Sequence, residues 1–161
     1  MKILIVGHAR HGKDTVAEVL VEDYGLTFAS SSYFAAKEVV RPALAAAGIH
    51  YESLDDCYED RGNHRAFWYD QISAYNSENK SRLCERILSA HDIYVGMRSD
   101  EEYQASKGLF DLILWVDASG RGVAPEPETS MTIKFNPAEM VLVDNSGTIE
   151  DLKEAVAQSM A

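Results

Sequence analysis

Five short apolar runs punctuate the chain, and helical spacing fills the stretches between them. Lys2–Val6 is a β-branched run that ends at a glycine. After it, Val16, Val19, Leu20 and Tyr24 recur at helical intervals from about Lys13 to Tyr24, with Gly25 as the stop. Leu26–Ser30 is a second strand, and 32–47 has helical patterning that Pro42 should break or kink near Arg41. The long polar and aromatic stretch from Ser53 to Ala90 predicts two or three helices, divided near Gly62 and near Asn76–Asn79, with Ser53 as the first N-cap. Asp92–Met97, Phe110–Val116 and Met140–Val143 complete the strands. A short acidic helix runs from Ser99 to about Lys107, and Thr148 caps a last helix with Glu150 and Asp151 in its first turn. Between Ser119 and Ala138 lie two glycines and three of the four prolines, so this stretch is a loop or lid.

Strands that alternate with helices, and that are apolar along their whole length, predict a five-stranded parallel sheet with helices on both faces. At 161 residues the chain is one domain by length, 1–161, with a helical insert at about 50–90 and the lid-like loop at about 119–138. Ligands in such sheets bind beyond the carboxyl ends of the strands. No apolar run approaches the roughly 20 residues of a membrane span, and KILIVG is too short for a secretory leader. Cys57 and Cys84 lack metal-like spacing and read as two reduced thiols, which places the protein in the cytoplasm.

Net charge is −11, which opposes tight non-specific binding to nucleic acid. The charge is uneven: residues 1–50 carry five acids and five bases, whereas 111–161 carry nine acids and three bases. An anionic ligand is best tolerated in the first third.

That third holds the most specific chemistry. Gly7-His8-Ala9-Arg10-His11-Gly12-Lys13 joins the first strand to the first helix in the order of a P-loop. Successive backbone N–H groups form an anion nest, the helix start adds its positive dipole end, and Lys13 reaches the β- and γ-phosphates. Where Ser or Thr follows the lysine in the common motif, this chain has Asp14 and then Thr15. Either can help place Mg²⁺, and a carboxylate at position 14 needs a divalent cation between it and a triphosphate. His8 and His11 can donate to phosphate, although their main-chain N–H groups matter more. The five histidines have no zinc-like spacing.

A second constellation is Asp60-Arg61-Gly62-Asn63-His64-Arg65, followed by Ala66-Phe67-Trp68-Tyr69-Asp70. On one helix, Arg61, His64, Arg65 and Trp68 share a face, two guanidiniums beside an imidazole and an indole, which suits an anionic, partly aromatic acceptor. A solvated face with Glu59, Asp60 and Asp70 pairing the arginines is the bland alternative. A third is Gly96-Met97-Arg98, a strand-end arginine facing the ligand crevice or pairing with Glu101 or Glu102. Asp117 ends the most apolar strand, as a Walker B acid does.

With these residues in view, the chain resembles the phage deoxynucleoside monophosphate kinase family of P-loop kinases. GHARHGKDTVAE resembles its phosphate loop, including the aspartate after lysine. Gly96-Met97-Arg98 resembles its strand end, and Glu128-Thr129-Ser130 its lid. Val141 to Leu152 resembles its closing strand–Asn–Gly–helix element. The family's strand-end acid is Gly96 here, and Phe28-Ala29-Ser30-Ser31-Ser32 replaces its Phe-Ala-Asp-Pro-Leu-Lys. Both departures fall on the acceptor side. The resemblance implies an NMP-kinase-like fold, an ATP-dependent kinase with Mg²⁺, and Asn145 near the adenine. ATP phosphates lie on the loop and Lys13, and Arg98, Arg61 and Arg65 hold the acceptor and neutralise developing charge, with Arg41, His64 and Trp68 also on the acceptor side. The lead acceptor is a deoxynucleoside monophosphate. A related branch phosphorylates the 5-hydroxymethyl group of modified deoxyuridine in DNA. There a base, Asp60 or His64, would help, and DNA contact would be transient, through Arg41, Arg61 and Arg65. An ATPase or nucleotide sensor without an acceptor is the remaining class. The implied partners are ATP and the acceptor, with a homodimer left open and no membrane; a phage protein would work in the host cytoplasm.

Overall fold

The computed structural model describes residues 1–161. Strand β1 (Ile3–Val6) lies at its centre, with every side chain buried. Its two faces feed two cores. Leu4 and Val6 join Phe34, Tyr94, Tyr103 and Trp115, whereas Ile3 and Ile5 join Val16, Leu20, Leu114 and Leu152. Burial on both faces is what the uninterrupted run Ile3-Leu4-Ile5-Val6 requires.

The chain leaves β1 through residues 7–12 into helix α1 (Lys13–Tyr24). Strand β2 (Phe28–Ser30) and helix α2 (Ser31–Ala35) follow, then a π turn (Ala36–Val40) and helix α3 (Arg41–Ala46). The break expected at Pro42 is instead this widening. The backbone stays helical through Val40 and Arg41, and the π turn makes room upstream for the Pro42 ring and its missing N–H.

The insert holds helix α4 (Leu54–Glu59), a 3₁₀ turn (Asp60–His64), helix α5 (Arg65–Tyr75) and helix α6 (Arg82–Leu88). Ser53 caps α4 as expected, accepting from the Asp56 N–H. Arg61 and Trp68 therefore do not share a continuous helix face, because the 3₁₀ turn ends between them. Trp68 is 6% exposed and packs with Ala36, Val40, Leu44 and Cys57 in a third small core. Its indole holds α5 against the π turn and is not free to stack on an acceptor.

Strand β3 (Ile93–Val95), helix α7 (Asp100–Ser106), strand β4 (Leu112–Asp117), strand β5 (Val141–Asp144) and helix α8 (Ile149–Met160) complete the chain. The order is β2-β3-β1-β4-β5, with every pairing parallel. The fold class is the one the sequence predicts. Several strands are shorter than their apolar runs, because flanking groups find side-chain partners. The Thr27 N–H, for example, donates to the Asp92 carboxylate at 3.0 Å. Thr148 and Asp151 form a reciprocal cap at the start of α8.

The segment 119–138 is only partly lid-like. Met131 and Ile133 are buried in the first core, while Gly122–Ser130 runs over the surface with Val123 and Glu126 turned partly inward. No helix is long and apolar enough to cross a membrane.

Candidate active site

The loop between β1 and α1 lies against the carboxyl end of β4. A Cβ on Gly7 would come within 2.6 Å of the Val116 carbonyl oxygen, so only glycine can begin the loop there. Gly12 has φ 95° at the start of α1, and a Cβ on it would strike the Asn145 amide. Arg10, at φ 65°, is the one non-glycine residue with positive φ. Lys13 curls back over the loop and donates to the Gly7 and His8 carbonyls, each at 2.9 Å. Burial, and then the Arg98 charge, push its pKa below the usual lysine value against the opposing pull of Glu126 and Asp14.

Two side chains, His11 and Asn145, brace this loop. The His11 ring is 2% exposed; its Nδ1 accepts the Ala118 N–H at 2.8 Å, and Nε2 lies 3.3 Å from the Ala124 carbonyl. A backbone donor at Nδ1 fixes the proton on Nε2, which then donates to Ala124. Both ring nitrogens are used, so His11 ties the loop to the segment after β4 and does not donate to phosphate. Asp117 Oδ1 stands 3.7 Å from the same Nδ1. Because that nitrogen is already an acceptor, the contact is not an ion pair. Asp117 instead accepts from the Ser119 N–H and hydroxyl, and the Ser119 N–H leads in holding its pKa below the usual carboxylate value. Asn145 donates from Nδ2 to the His11 carbonyl at 3.0 Å, and its N–H donates to the Asp117 carbonyl at 2.8 Å. With its amide buried in this brace, Asn145 shapes the loop, and one of its two Nδ2 hydrogens is spent on the His11 carbonyl.

The residue that sequence reasoning missed is Glu126. Its Oε2 accepts the Ala9 N–H at 3.0 Å, its Oε1 pairs with Arg98, and its own N–H donates to His8 Nδ1 at 3.0 Å. The side chain is 15% exposed. Burial raises its pKa, but Arg98, the Ala9 N–H and Lys13 together hold it below the usual value. The available signal was Pro125-Glu126-Pro127, a single acid fixed between two prolines in the middle of the lid. Arg98 follows β3 and is held through its carbonyl by the N–H and hydroxyl of Thr132. Its guanidinium is 46% exposed, so the crevice is open to solvent on that side.

No protein-family model and no curated protein sequence matches the chain. Its structure superposes on an unliganded sugar kinase of Janibacter sp. HTCC2649 with a TM-score of 0.51 and 17% identity, over 99% of this chain and 93% of that one. A gluconokinase of Sinorhizobium meliloti 1021 aligns at TM-score 0.48 and 18% identity, over 99% and 91%. The α/β fold, with its five-stranded parallel sheet, is shared with the Janibacter protein.

Within this fold, Asp14 and Thr15 occupy the first turn of α1, Asp14 exposed and Thr15 half-buried. These are hard oxygen donors that fit Mg²⁺. No group of three or more His, Cys, Asp or Glu converges into a protein-only cage. Two adjacent oxygen donors suit a cation held by one or two side chains together with phosphate oxygens.

Among the residues expected to hold an acceptor, Arg61 stacks over the Tyr58 ring at 3.9 Å and donates to the Tyr58 carbonyl. Arg65 opens α5 and is exposed, whereas Arg41 is tied to the Tyr51 carbonyl at 3.1 Å. His64 Nε2 lies 3.3 Å from Asp60, which also accepts from Tyr51 and Asn63. The Tyr51 hydroxyl first, and then Asn63, hold Asp60 below the usual carboxylate value. A row of hydroxyls continues toward the sheet. Tyr58 lies 3.4 Å from Ser32, Ser32 lies 3.1 Å from Ser30 at the end of β2, and Ser31 faces Gly96 after β3. The structure thus pairs His64 and Tyr51 with Asp60, sets Arg61 on Tyr58, and leaves Trp68 in the core.

Proposed function

We propose that this chain is an ATP-dependent phosphotransferase acting on a small acceptor, with a deoxynucleoside monophosphate as the lead. The observation that carries this reading is the carboxylate in the loop: one anion, Glu126, is met by the Ala9 N–H and the Arg98 guanidinium, with Lys13 beside it. Phosphoryl transfer needs little covalent help from the protein. It needs donors and cations fixed around the moving phosphoryl group.

The roles follow from position. Residues 7–13 supply backbone N–H groups and the Lys13 charge. Thr15 and Asp14 would hold Mg²⁺, which supplies charge neutralisation when bound with ATP. Arg98 faces the terminal phosphate, and Arg61 and Arg65 are the exposed cations for an anionic acceptor. A phosphate acceptor is already an anion and needs no general base.

A second reading has a neutral hydroxyl as the acceptor. The His64–Asp60 contact favours it, since a carboxylate that orients an imidazole is the arrangement of a general base. The serine row beside Tyr58 also suits a hydroxylated ligand. This reading includes 5-hydroxymethyl-deoxyuridine in DNA, and the Janibacter match, named a sugar kinase, extends it to sugars.

The test is transfer from γ-labelled ATP to each deoxynucleoside monophosphate, 5-hydroxymethyl-dUMP, DNA containing 5-hydroxymethyluracil, and a panel of sugars and sugar acids. Label in a nucleoside diphosphate supports the lead. Label only in DNA or in a sugar selects the hydroxyl reading. Release of inorganic phosphate alone, with every acceptor, overturns both.

A further inference from the structure

We propose that Glu126 is an internal competitor for the phosphate loop: its carboxylate occupies the nest until a nucleotide displaces it, and that displacement frees Arg98 and lifts the surrounding segment. The proposal rests on the nucleotide-binding reading of the loop.

Glu126 makes the contacts that a phosphate oxygen would make there. It accepts a loop N–H from Ala9 and pairs with Arg98, close enough to Lys13 for each to shift the other's pKa. It is not a stray surface acid. Pro125 and Pro127 restrict the backbone on either side, and its own N–H is fixed on His8 Nδ1. The segment is anchored before it by Ala118 and Ala124 on the His11 ring, and after it by Thr132 on the Arg98 carbonyl. Such anchoring holds the carboxylate at high effective concentration beside the nest. A carboxylate and a phosphate cannot share the Ala9 N–H and Arg98, because like charges at that separation repel strongly in a partly buried site.

Two consequences follow. Every anion that reaches this position binds more weakly than the bare loop would allow, so weak single anions are excluded before a polyphosphate is. Binding also hands Arg98 from a carboxylate to the ligand, so the arginine is engaged only when phosphate is present. A competitor seated nine-tenths of the time weakens apparent affinity about tenfold.

The experiment is calorimetric titration of the full chain with inorganic pyrophosphate and with Mg-ATP, using the native protein, Glu126→Gln, Glu126→Ala, Glu128→Gln and Lys13→Ala. Glu128 is an exposed neighbour whose substitution makes the same change in net charge. Both Glu126 variants should bind pyrophosphate and Mg-ATP about tenfold more tightly, Glu128→Gln should match the native protein, and Lys13→Ala should lose binding. Equal or weaker affinity in both Glu126 variants, or an equal gain in Glu128→Gln, overturns the competitor while leaving the nucleotide site standing. No binding of Mg-ATP by the native protein or by either Glu126 variant overturns the nucleotide reading and the competitor with it.

Discussion

At Gly12 two constraints meet, a left-handed φ of 95° and the Asn145 amide packed against the position a Cβ would take. Gly12→Ala is expected to cost about 1–3 kcal/mol from backbone strain alone and to abolish ATP binding, read by urea denaturation and by calorimetry. Asn145→Ala approaches the same contact from the other side. It strands the His11 carbonyl without its side-chain donor, and its expected cost is about 1–3 kcal/mol. If Asn145 instead served only an adenine, the variant would keep native stability and lose ATP affinity. The glycines and Lys13 were legible because the loop's backbone path depends on residue type. The brace was not, because His11 and Asn145 are 134 positions apart and neither shows its partner in the local pattern. Glu126 was hidden for the same reason.

At the scale of elements, the insert and the lid each divide where the hydrophobic pattern is ambiguous. Trp68 has helical spacing with Arg61, His64 and Arg65, but the chain turns through a 3₁₀ segment at Asp60–His64 and the indole falls inward. Trp68→Phe should leave acceptor kinetics unchanged, whereas Trp68→Ala should destabilise by about 3–5 kcal/mol, both measured beside Arg61→Ala in one assay. Met131 and Ile133 gave the lid's rear half a period-2 pattern that proline and glycine content obscured. The contact between lid and loop also predicts a pH response. Burial first, then His11 and Lys13, hold the His8 pKa below its usual 6.5. The folded protein therefore takes up this proton at lower pH than the unfolded chain does. The associated stability is full above about 6.5, falls as pH drops below that value, and is lost once the folded pKa is passed. Protonation also removes the lone pair that accepts the Glu126 N–H. Protection factors of the Val123, Ala124, Glu126 and Glu128 amides, corrected for intrinsic exchange, should fall as pH drops from 7.5 to 5.5, and His8→Asn should flatten that dependence. An unchanged slope in His8→Asn would assign the response to another group.

For the whole molecule, the fold class follows from a few strong signals: one fully buried strand, a glycine-bounded loop, and helices between apolar runs. These gave the class of fold because a parallel sheet covered on both faces leaves that mark in the residues themselves. Acceptor identity left no such mark. It depends on how α4, the 3₁₀ turn and α5 set Arg61, His64 and Asp60 beside the serines after β2, and that geometry is made by tertiary contacts. Arg61→Ala should reduce acceptor use at least about tenfold while leaving Mg-ATP affinity within twofold; equal loss in both would move Arg61 to the nucleotide side. The Asn145 brace also has a meaning in time. The phosphate loop leaves the ribosome before the residue that closes it, which follows 134 positions later. At ordinary elongation rates that delay is roughly 7–27 s, during which the growing chain carries a phosphate motif but not yet a phosphate site.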